Sequence, residues 1–234
     1  MLKRIMLTAL AAGAIAGVFM WAIQAATVTP LILHAEVFEQ QMTSAPAGAA
    51  AGHAHGADHA AADSHAEWAP ADGFERTAFT LMADLVIAMG FAFILTGALA
   101  LSGGAAGWRR GIVWGLAGFA AFSAAPALGL PPELPGMQAA DLVARQIWWV
   151  GTVVATAAGM AIVFFAPRPV PLVLSAILIL TPHIIGAPGH ALAAGPLPAT
   201  LVAEFAVASL VTVQLFWMVL GGATGYFFDR LKNA

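Results

Sequence analysis

The run Phe79–Leu101 reads FTLMADLVIAMGFAFILTGALAL and holds one ionisable side chain, Asp84. A helix needs about 20 apolar residues to cross a hydrocarbon layer of about 30 Å, so this stretch predicts a membrane span. Composition extends that reading to the whole chain. Hydrophobic residues make up 61% and charged residues 9%, against about 25% charged in a soluble domain. A soluble core cannot absorb that much apolar surface, whereas lipid can. The expected fold is all-α, a polytopic membrane bundle of about six transmembrane helices with a flexible His-rich outer loop.

Outward from this span, apolar runs recur at Ile112–Leu130, Leu142–Ala166, Pro171–Ile185 and Thr200–Phe228, separated by turns of Gly, Pro and charge. A first run extends from Ile5 to about Leu33 behind Lys3-Arg4. It exceeds the about 7–15 apolar residues of a signal peptide, and so is read as a retained anchor. Glu36 to Glu75 is rich in Ala, Gly and His, with too little large apolar surface to fold alone. The predicted organisation is a first transmembrane helix over 1–34, a His-rich extracytoplasmic loop over 35–76, and about five further membrane segments over 77–234.

Lysine and arginine mark the cytoplasmic ends of spans. Lys3, Arg4, Arg109, Arg110, Arg168, Arg230 and Lys232 fall on one side, Arg76 and Arg145 on the other. Both termini are therefore expected in the cytoplasm, and the His-rich loop in the periplasm of a bacterial inner membrane. The fifth run departs from a simple span: Pro171 to Gly186 gives only about 21 Å of helix. Pro182 removes a backbone donor, and Gly186, Pro188 and Gly189 follow. The chain from Thr181 to His190 is thus expected to leave helical geometry near membrane depth, a feature that marks binding sites in transporters.

Four of the seven histidines, His53, His55, His59 and His65, cluster in the loop beside Asp58 and Asp63. Neutral imidazole suits borderline divalent cations, and a flexible His-x-His segment suits capture and delivery. Ionisable residues in or beside the spans are rare and costly to bury, which makes each a functional candidate. They are Asp84 in the second span, Glu204 in the sixth, His34 and Glu36 at the exit of the first, and His183 and His190 around the fifth. These groups are expected to form one cation site near the outer third of the membrane. With no cysteine in the chain, the nitrogen and oxygen donors admit Co, Ni, Zn or Mn.

Other classes are pruned by absence. No Lys/Arg-rich run exists to neutralise a phosphate backbone, so nucleic acid is excluded as a partner. Neither a Gly-x-x-x-x-Gly-Lys-Ser/Thr phosphate loop nor a His-Glu-x-x-His zinc motif occurs. No enzymatic activity and no tightly bound cofactor are expected, the metal being the substrate. Gly13-x-x-x-Gly17, Gly111-x-x-x-Gly115 and Gly221-x-x-x-Gly225 allow close helix approach.

Lys3-Arg4 before a Gly/Ala-rich span, the stretch Pro30 to Glu39 with His34-Ala35-Glu36, the His-rich loop, and Pro182-His183-x-x-Gly186-Ala187-Pro188 resemble the CbtA family of cobalt transporter subunits. The likeness covers nearly the whole chain. The resemblance implies cobalt as cargo for cobalamin synthesis and a small one-span partner, CbtB, with its own histidine motif. It also implies five spans where the charge pattern gives six, and the two counts differ at the fifth run. Two rivals to transport remain: a metal-binding accessory or sensing protein, and a haem electron carrier, which needs two facing histidines in the bundle.

Overall fold

A computed structural model describes residues 1–44, 70–103, 107–166, 171–189 and 197–232, and the described residues are helices and connections without strands. Helix α1 (Leu2–Thr27) halts before Pro30, whose missing N–H interrupts the ladder, and α2 (Thr29–Ser44) restarts at once with Pro30 in its first turn. Helix α3 (Phe74–Ser102) follows. Next comes a rod of α4 (Trp108–Phe119), a π-helical turn (Ala120–Ala124) and the short α5 (Ala125–Ala127). Helix α6 (Leu142–Phe165) is capped by Asp141, whose Oδ1 accepts from the Ala144 N–H at 2.9 Å. Helices α7 (Pro171–Ile185) and α8 (Ala199–Arg230) complete the chain.

Four helices, α1, α3, α6 and α8, are long and apolar enough to cross a membrane. The rod over 108–127 and α7 are shorter apolar helical segments packed among them. Helix α7 runs antiparallel to α6: Ser175 and Ile179 lie against Gly159 near its start, and Pro182 against Trp148 near its end. Ala187 then meets Gly129 at the C-terminal end of the rod. The 15 residues of α7 give only about 22 Å of helix, short of a bilayer core of about 30 Å.

Two expectations are corrected. Pro182 does not break α7, which continues to Ile185; helical geometry is left at Gly186, whose φ of 86° only glycine adopts freely. The predicted loop from Glu36 is helical as far as Ser44. Its start has partners the sequence does not advertise. Leu31, Ile32, Ala35 and Phe38 recur at helical spacing and pack on Leu134, Met137, Leu197, Leu201 and Phe205, forming a small cap core at the end away from the termini.

The main core is built from small residues. Ala9, Ala12, Gly13, Ala16 and Gly17 place α1 between α3 and α8, where Phe216, Trp217 and Leu220 fill the centre. Gly111 and Gly115 of the rod pack face to face with Gly221 and Gly225 of α8, so closely that a Cβ on any of the four would strike backbone of the other helix. Both termini lie at one end: the Arg4 guanidinium donates to the Phe228 carbonyl and sits 3.6 Å over its ring. The fully buried hydroxyls of Thr96, Thr152 and Thr224 bond carbonyls one turn back on their own helices, which satisfies them without water.

Candidate metal pathway

Asp84 is the one charged side chain buried among the described residues, at 9% exposure. It shares the buried stripe of α3 with Ala88 and Ala92, at the level where Gly17 brings α1 against Asp84 and Leu85. One carboxylate oxygen, Oδ2, is enclosed and has no hydrogen-bond partner. A carboxylate without a partner in the bundle costs several kcal/mol, which makes Asp84 a candidate functional residue.

His183 lies half-buried on α7 with its ring edge-on to Trp148, centroids 6.0 Å apart. The same indole donates Nε1–H to the Pro182 carbonyl at 3.2 Å, pinning the histidine turn to α6. His34 is exposed on α2 beside the Phe38 ring, 5.3 Å away. Glu36 is engaged by both Nη2 (2.6 Å) and Nη1 (3.2 Å) of Arg76, which also reaches Asp72 at 3.2 Å. Glu204 is exposed on α8, with its neighbours Leu201 and Phe205 in the cap core. His53, His55, His59, His65 and His190 lie outside the described residues.

The described members of the predicted site stand on several different helices. Among the described residues no three His, Asp or Glu side chains lie close enough to hold one metal ion. The reason is helix pairing. Asp84 sits in the α1–α3 seam, whereas the helix of His183 packs on α6. His34 and His183 stand on elements that do not touch, so the described histidines form no facing pair for haem.

The structure adds polar groups that were not singled out from the sequence. A cavity of about 720 Å³ opens at the end of the bundle away from the termini, between the rod, the first turns of α6 and α8. Arg145 pairs with the largely buried Glu133 at 2.9 Å in its wall, and Ser123, Gln146 and Ser209 also line it. The Ser209 hydroxyl is enclosed without a partner. Gln146, an amide inside an apolar run, was the available sequence signal.

Several long apolar helices packed through alanine and glycine faces define a multi-pass membrane protein. The chain belongs to the CbtA family, described as "Probable cobalt transporter subunit (CbtA)", which matches residues 2–229, nearly the full length. No curated protein and no solved structure matches it.

Proposed function

We propose that this chain is the membrane subunit of a divalent-metal uptake system, with Co²⁺ the cargo and cobalamin synthesis its use. In this reading both termini are cytoplasmic, and His53, His55, His59 and His65 collect the ion on the periplasmic side of the inner membrane. His34, Glu36, His190 and Glu204 receive it, and Asp84 and His183 serve the intramembrane path. Ni²⁺ and Zn²⁺ suit the same donors. A one-span, histidine-bearing CbtB-like subunit is the expected partner, and the work done is translocation without covalent chemistry. The observation that supports the reading is Asp84, an unpartnered carboxylate kept inside a lipid-embedded bundle. The test is Co²⁺ uptake into proteoliposomes. Asp84→Asn and His183→Ala should each lower uptake about tenfold or more, and wild-type rates in both variants would remove these residues from the path.

A second reading is a metal-binding accessory that does not itself transport. It is favoured by the wide separation of the described donors. Uptake by the isolated chain, compared with chain plus partner, separates the two: Co²⁺ bound but never moved in either preparation selects the accessory.

A further inference from the structure

The apolar helices fall into two bodies. Helices α1, α3 and α8 and the rod form a core, while α6 and α7 form a hairpin whose backbone meets that core along the rod alone, among the described residues. Phe122, in the π-helical turn, is central to this contact. Its ring lies 5.7 Å from Trp217 and 5.1 Å from Phe91 on the core side, and 6.3 Å from Trp149 on the hairpin side. One cavity lies to each side of it. The outer cavity of about 720 Å³ and an inner one of about 360 Å³ share Phe122 in their walls, and both lie between hairpin and core.

The two cavities differ in chemistry. Glu133, Ser123, Gln146 and Ser209 give the outer one a carboxylate, an amide and two hydroxyls, one of them without a partner. Ile94, Leu95, Ala98, Met160 and Phe164 make the inner one mainly apolar, with the cationic Arg110 at its wall and no acidic lining residue. A hydrated cation is accommodated by the first and excluded by the second, because an apolar constriction dewets. The π-turn between them is an element with a neighbouring α-helical register, and so is suited to two states.

Resting on the transport reading, we propose that the cation crosses in this cleft. It enters the outer cavity by displacing Arg145 from Glu133, and the α6–α7 hairpin rocks on the Phe122 contact to close the outer cavity and open the inner one.

The absence of native cysteine makes the test direct. Val150→Cys with Val213→Cys spans the outer cavity, and Ala98→Cys with Met160→Cys the inner one. Before cross-linking, each pair should take up Co²⁺ within about twofold of the parent. Closing either pair with a short bifunctional thiosulfonate should lower uptake about tenfold or more, and reductant should restore it. Cross-linked protein that transports at the uncross-linked rate overturns the proposal and leaves the transport reading standing. If the parent, with its partner subunit, moves no Co²⁺, the transport reading falls and thiol access decides the cleft. Ser209→Cys must then react with an impermeant reagent added outside and Met160→Cys must not; equal reactivity overturns it. In the transporting protein, Glu133→Gln should raise half-saturating Co²⁺ several-fold at unchanged maximal rate, and Arg145→Gln should lower it. Unchanged values in both exclude Glu133 as the entrance group.

Discussion

The indole of Trp148 donates its N–H to the carbonyl of Pro182 across the α6–α7 interface, at 3.2 Å and out of contact with solvent. That bond ties down the turn that carries His183. Trp148→Phe keeps an aromatic ring and deletes the donor, and no water is at hand to replace it. The expected cost is about 1 kcal/mol, read as a lower thermal midpoint of the purified protein in detergent. An unchanged midpoint would mean that the hairpin is held by packing alone.

The glycine seam predicts a position-dependent response to one methyl group. Gly111→Ala and Gly221→Ala each drive a Cβ into backbone of the opposing helix, which forces the rod and α8 apart at a cost of about 1–3 kcal/mol. Gly90→Ala faces open space on α3, and should gain about 0.5–1 kcal/mol from helix propensity. Melting curves of the three variants decide this, and a loss at Gly90 equal to that at Gly111 would contradict the seam.

Glu36 is held by Arg76, with both side chains about a third exposed. Such a pair contributes under about 1 kcal/mol, so Arg76→Gln should change stability little. It should free the carboxylate, and if Glu36 receives the metal, Co²⁺ affinity in a competition assay should rise several-fold. Unchanged affinity removes Glu36 from the path.

Single cysteines report sidedness without a background signal. Leu2→Cys and Leu231→Cys should react from one face of sealed vesicles, and Phe74→Cys and Pro132→Cys from the other. Leu231→Cys labelled from the face opposite Leu2→Cys would restore a five-pass count, with α7 turning back.

The passes were legible in the sequence because lipid demands long apolar runs and the charges mark their ends. Helix partnering was not. The spacing Gly111-x-x-x-Gly115 announces a close contact without naming Gly221 and Gly225 as its other half, and Gly13 and Gly17 instead face Met89 and Leu85. Asp84 and His183 were each recognisable as costly residues, but which helices flank them depends on packing that local patterns do not encode. Helix α2 was misjudged because its polar ends hid the spacing of Leu31, Ile32, Ala35 and Phe38. Nothing in Ala120-Ala121-Phe122-Ser123-Ala124 distinguishes a π-turn from an ordinary one.

The pairing of α1 with α8, sealed by Arg4 on Phe228, also bears on biogenesis. The ribosome delivers α1 well before α8, so although Gly13 and Gly17 meet α3 early, the part of α1 that packs on α8 waits in the bilayer while the intervening segments are inserted. The outer cap waits too, because α2 packs on Leu201 and Phe205 of that same final helix. Chains truncated before α8 therefore lack the partner for both cores at once.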